Sequence, residues 1–171
     1  MALIVETGAG ITDANSYLSE SDFEAYCEDR GLTFSGDVEP ALVRATAWIE
    51  ARYGARFSGS PLNGRGQGLS WPRSGATDRA GNAIPSNEVP IEIKRAAAEA
   101  TLREVKTPGS LMPDQTGGGA AVKRKKLGSM EVEYAVADGA AAAAPSFPLI
   151  DGILTPLLGG FGAGMVRIMR V

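Results

Sequence analysis

At 171 residues the chain can build one domain with a modest core, not two large ones. A formal net charge of −3 argues against coating nucleic acid through bulk positive charge, although a local basic patch remains open. Cys27 is the one cysteine and histidine is absent, which excludes an internal disulfide, removes the commonest general base and argues strongly against a zinc site.

In chain order, Leu3, Ile4 and Val5 form a short extended segment, and residues 7–12 a glycine-interrupted turn. A first helix is predicted over 20–30. Ser19 or Ser21 caps it, Glu20, Asp22 and Glu24 lie near its positive end, and Gly31 stops it. Its buried face is Phe23, Tyr26 and Cys27, the thiol serving as a small apolar residue. A second helix spans 38–53, capped by Asp37, with Pro40 in its first turn. Leu42, Ala45, Ile49 and Tyr53 recur there at helical spacing, with Val43 and Trp48 beside them.

Residues 54–84 read as a long irregular excursion. Arg56, Arg65, Arg73 and Arg79, with Phe57 and Trp71, are candidate DNA-facing residues, because aromatics interleaved with arginines can stack on bases and neutralise phosphates. The competing reading has Leu69 and Trp71 pinning the loop to the core while the arginines are solvated or ion-paired. Residues 64–68 (GRGQG) are no phosphate loop, lacking the following Lys-Ser/Thr.

The strongest helical signal lies in 85–106. Ile91, Ala98, Leu102 and Val105 form one stripe, Ile93, Ala97 and Ala100 widen it, and charged residues fill most of the other turn positions. Ser86 or Asn87 is the predicted cap, Pro90 sits in the first turn, and Pro108-Gly109 ends the helix. Its alanines thin it so that a neighbour can approach closely.

After a linker over 107–119, residues 121–137 read as a β-hairpin turning at Gly128-Ser129. Val122, Lys123, Arg124 and Lys126 lie on a basic arm. Met130, Glu131, Val132, Glu133 and Tyr134 lie on an acidic, alternating return arm. Opposite charges across such a pair contribute roughly 0.2–1 kcal/mol each, yet an isolated ribbon is marginal, so it is expected to rest on its own helices or on another subunit. The Lys/Arg run suits nucleic acid, an exposed edge or an inter-subunit ribbon.

A last short helix is predicted over 148–158, apolar almost all round, with Pro156 distorting its end. Residues 161–171 follow a glycine hinge. Phe161, Met165, Val166, Arg167, Ile168, Met169, Arg170 and Val171 make an apolar, β-prone arm that either docks on a partner by strand addition or adds a final strand within its own subunit. No apolar run is long enough to cross a bilayer, and the N-terminus lacks the pattern of a secretion signal, so a soluble protein made in a reducing cytoplasm is expected. Neither a spacing-defined carboxylate pair nor a G-x-S-x-G motif occurs, so the chain does not read as an enzyme. The expected fold is mainly α: a small bundle of about four helices over 1–160, with the long loop, an extended β-hairpin and an extended C-terminal arm over 161–171.

Several ordered segments resemble the head–tail connector (adaptor, head-completion) proteins of tailed bacteriophages. They are Phe23-x-x-Tyr26-x-x-x-Arg30-Gly31, Ala47-Trp48-Ile49-Glu50-x-Arg52-Tyr53, Leu69-x-Trp71-Pro72-Arg73 and Val89-Pro90-x-x-Ile93-Lys94-Arg95-Ala96. Later come Val122-Lys123-Arg124-x-Lys126-x-Gly128-x-Met130-Glu131-Val132-x-Tyr134 and Pro148-x-Ile150-Asp151-x-x-Leu154-x-Pro156-Leu157-Leu158. Some sequences of this kind carry the label DnaT-like single-stranded DNA-binding protein. The resemblance implies a structural virion protein, made in the host cytoplasm and placed at the head–tail interface. It implies a homo-oligomeric ring, typically twelve-fold, that docks on the portal through its C-terminal arm, packs hairpins between subunits and extends the channel for passing dsDNA. Such a ring is also a platform for the next tail-side protein. No cofactor or membrane contact is implied. The alternative is single-stranded DNA binding.

Overall fold

The structure is a computed structural model, and it describes residues 2–112, 124–127, 130–133 and 146–159. The chain divides into two units, Met1–Leu111 with Phe147–Val171, and Met112–Ser146.

In the larger unit, α1 covers Glu20–Glu28, α2 Val38–Tyr53, α3 Ile91–Lys106 and α4 Pro148–Leu154. The Ser19 hydroxyl accepts the Asp22 N–H at 3.1 Å and so caps α1 as expected. That helix stops two residues before Arg30, where Gly31 enters the left-handed region at φ 61°. The bounds of α2 match the expectation, but Asp37 makes no side-chain cap bond.

The start of α3 differs from the prediction. Pro90 is the residue before the helix, with extended ψ of 145°, and residues 85–89 are not helical. A residue preceding proline is pushed out of the α region, so Val89 cannot carry a turn begun at Ser86 or Asn87 into Pro90. The last helix also ends sooner than expected. Pro156 has no N–H to continue the ladder, and the chain tightens into a 3-10 turn over Thr155–Leu157.

Helix α3 is the central post. It packs against α1, α2 and α4. Ile93, Ala96, Ala97, Ala98, Ala100, Leu102 and Val105 are buried along it. The alanine waist lets neighbours close in, as the sequence implied. Tyr17, Phe23, Leu42, Ile49, Tyr53, Trp71, Ile150 and Leu154 complete the core.

The long loop is a compact cover on this body. It contains 3-10 turns at Gly54–Arg56 and Gly64–Gly66. A minimal antiparallel ladder joins β1 (Ser60–Pro61) to β2 (Arg73–Ser74). Two polar knots hold the irregular segments, one in this loop and one in the N-terminal turn. Glu50 on α2 accepts the Tyr17 hydroxyl, the Ser70 N–H at 2.9 Å and the Ser70 hydroxyl at 2.6 Å. In the N-terminal turn, Glu6 is buried and accepts the N–H groups of Gly8, Gly10 and Ile11 at 2.8–3.0 Å. A Cβ on Gly8, at φ 105°, would overlap the Asn87 carbonyl, which is why this turn closes on glycine.

In the smaller unit, β3 (Arg124–Leu127) and β4 (Met130–Glu133) pair antiparallel. The register sets Arg124 against Glu133 and Lys126 against Glu131, the basic-on-acidic pairing expected. Val122, Lys123, Gly128, Ser129 and Tyr134 lie outside the described residues, as does the arm over 161–171. The described fold is thus a mainly helical four-helix bundle with a short antiparallel hairpin.

Candidate nucleic-acid interface

The four loop arginines do not form one face. Arg73 is 6 % exposed. Its Nε donates to the Ser58 carbonyl at 2.7 Å, Nη1 to Ser70 at 3.2 Å, and Nη2 to Gly59 at 2.8 Å and Phe57 at 3.3 Å. Burial lowers its pKa from the ordinary value, with Glu50 and Tyr17 acting the other way. This guanidinium satisfies the carbonyls of an irregular loop and is closed to phosphate, which corrects the expectation for it. Arg56 and Arg79 are exposed and flank one stretch of chain: Gly159 N–H donates to the Arg56 carbonyl, and Arg79 N–H to the Pro156 carbonyl. Arg65 is exposed on a separate turn, beside Asn63, whose amide donates to the Gly10 carbonyl. Phe57 and Trp71 are buried edge-on, with ring centroids 5.7 Å apart, and offer no face to a base. Leu69 is buried as well, so the loop's aromatics pin it to the core.

Arginines and aromatics do interleave elsewhere, on the helices. At one end the Arg30 guanidinium lies 3.7 Å from the Tyr26 ring centroid on α1. The Tyr26 hydroxyl donates to Glu99 on α3 at 3.0 Å, and Glu99 pairs with Arg103 at 2.9 Å. Arg103 reaches over the Phe147 ring at 5.9 Å, and Phe147 meets Trp48 of α2 edge-on at 5.2 Å. Arg52 lies 5.6 Å from the Trp48 centroid and 3.9 Å from the Asp151 carboxylate of α4. Asp151 accepts the Tyr53 hydroxyl at 2.6 Å, and Arg56 stands 5.5 Å from the Tyr53 ring. The result is one continuous band of four arginines and four aromatics, stitched by Glu99 and Asp151.

Helical geometry explains half of this. Arg44, Trp48, Arg52 and Arg56 follow at intervals of four, so they share one stripe of α2 and its 3-10 extension. Arg44 at the head of the stripe pairs with Glu104 at 2.7 Å. Tyr26 and Phe147 are half-buried, so their rings are partly open, whereas Trp48 and Tyr53 are buried and form the wall behind. Arg30 and Arg56 have no carboxylate within 4 Å among the described residues. Burial, then the hydrogen bonds to Glu99 and Asp151, push Tyr26 and Tyr53 up to about 12, so both stay neutral donors near neutral pH. At the Tyr26 end the band opens into a hollow of about 380 Å³ whose lining sets Arg30, Lys94 and Arg95 against Asp22 and Asp29. Guanidiniums that lie against rings beside open aromatic faces can hold phosphates and stack bases, each by a separate interaction.

Other chemistry has little support. Among the described residues no cluster of three His, Cys, Asp or Glu side chains is placed to hold a metal ion. Cys27 is buried, and desolvation raises its pKa, the reverse of an activated thiol. Among the described residues no helix is long and apolar enough to cross a membrane.

Against known proteins, a family model described as "Putative DnaT-like ssDNA binding protein" matches residues 1–171. No curated protein and no solved structure matches. The family match overturns the head–tail connector reading, with its adaptor, head-completion and virion-assembly roles. It favours the alternative, single-stranded DNA binding. The band itself escaped sequence reasoning because its partners come from four separate helical segments. The one local signal was the spacing of four in α2, which reads equally well as the edge of a core stripe.

Proposed function

We propose, from the premise that this chain belongs to the DnaT-like ssDNA-binding family, that it binds single-stranded DNA along the arginine–aromatic band. The continuity of that band, from Arg30 and Tyr26 to Arg56, is the observation that carries the reading. A single strand presents unpaired bases to Tyr26 and Phe147, whereas a duplex keeps its base faces stacked inside. The guanidiniums contribute counterion release without sequence preference. Because the whole chain carries −3, binding is local to the band.

The test is fluorescence anisotropy of a labelled oligothymidine with the full chain across salt concentrations. If the four band arginines each neutralise one phosphate, log K falls against log salt with a slope of about −2.8, and Arg56→Gln makes that slope shallower by about 0.7. The same strand annealed into a duplex binds more weakly. Equal affinity for the duplex, or a slope that is flat and untouched by the substitution, would remove the band as the interface.

A further inference from the structure

A second concavity lies next to α3, with a volume of about 450 Å³. Its floor is apolar: Ile84, Val89, Ile91 and Leu157. Ile91 is 52 % exposed, unusual for an isoleucine on the most deeply packed helix of the molecule. The rim is acidic, with Asp78, Glu88 and Glu92 against Lys94 alone. Leu157 belongs to this lining, and the described residues end two positions later at Gly159. The hydrogen bond from Arg79 N–H to the Pro156 carbonyl, at 2.8 Å, holds this segment beside the Asp78 wall.

Residues 165–171 have the matching chemistry. They read Met-Val-Arg-Ile-Met-Arg-Val, five apolar side chains and two cations with no acid. Residues 160–164, Gly-Phe-Gly-Ala-Gly, connect them to Gly159. Five residues reach roughly 17 Å at about 3.3–3.6 Å each, enough to pass along the rim of a groove that begins at Leu157. We infer that residues 165–171 of the same chain seat in this groove, with Ile168 and the methionines over Ile91 and with Arg167 and Arg170 against the acidic rim. A short connection raises the local concentration of such a segment to the millimolar range, so modest contacts suffice. The inference does not depend on the nucleic-acid reading, although Ile91 and Lys94 also line the hollow at the Tyr26 end of the band.

Methionine methyl NMR on the full chain tests it. The chain has five methionines, assigned by Met→Leu substitution. The Met165 and Met169 methyl signals are expected away from the free-methionine position, with displacements independent of protein concentration. Ile91→Glu returns both to the free position and leaves the thermal midpoint unchanged, since that side chain is half in solvent. Reversing the rim with Glu88→Lys and Glu92→Lys also frees them, and adding Arg167→Glu and Arg170→Glu restores the displacement. Free signals in the unsubstituted chain would overturn the inference. So would displacements that grow with concentration alongside a doubled mass, which assign the groove to the tail of a second copy.

Discussion

At the scale of single residues, Arg73 and the Arg103–Phe147 pair show how arginine can serve opposite ends. The four carbonyls around Arg73 come from Phe57, Ser58, Gly59 and Ser70, a stretch with almost no ladder of its own. An irregular buried backbone must find donors somewhere, and a planar guanidinium supplies several in fixed directions. Arg73→Lys keeps the charge but cannot reach all four. It should cost roughly 2–3 kcal/mol in urea unfolding while leaving oligonucleotide affinity unchanged. Phe147 is the reverse case, half open to solvent and flanked by Arg103 and Trp48. Phe147→Leu should weaken oligothymidine binding by about 1–3 kcal/mol, some five- to 150-fold, with little change in unfolding midpoint. In sequence, neither arginine announces which role it takes. What separates them is whether carbonyls or solvent surround the guanidinium, and that is a property of tertiary structure.

At the scale of elements, helices were legible where apolar spacing and punctuation agreed. The bounds of α2 follow from Leu42, Ala45, Ile49 and Tyr53 with Gly54 behind them. The start of α3 lies later than the cap-type residues at 86 and 87 suggest, because Pro90 restricts the backbone of Val89. Burial of charge was not legible at all: Glu104 is 2 % exposed in a helix whose charged positions look like a solvated face. It joins Arg44 of α2 to the N–H groups of Gly109 and Leu111, just past the end of α3. Burial pushes its pKa up, but the Gly109, Arg44 and Leu111 hydrogen bonds outweigh that and hold it below its ordinary 4.5. A carboxylate depressed in the folded state adds stability above the unfolded pKa and loses it as pH falls. The chain should therefore lose stability at Glu104 as pH drops below about 4.5. Thermal melts from pH 7 to pH 3 check this. Glu104→Gln lies below the unsubstituted chain at neutral pH, and the two curves converge in acid.

At the scale of the whole molecule, fold class and functional surface differ in how far sequence can reach them. A four-helix body is announced locally, one helix at a time, and the charge-matched hairpin likewise by alternation within its own arms. The band is not local. Tyr26, Phe147, Trp48 and Tyr53 lie on α1, at the N-terminal edge of α4 and on α2, while Glu99 and Arg103 of α3 join the first two. Periodicity reports which face of a helix is buried, not which partners that face meets. The resemblance to phage connectors implies an assembly context, which the family match does not support.

The way the band is divided among helices has one more consequence. A strand lying along it would act as a splint, touching α1, α3 and α2 at once and resisting any motion that parts them. Mechanical integrity and occupancy would then rise together: a molecule holding its strand is the sturdier form, and one that has let go is the easier target for proteolysis.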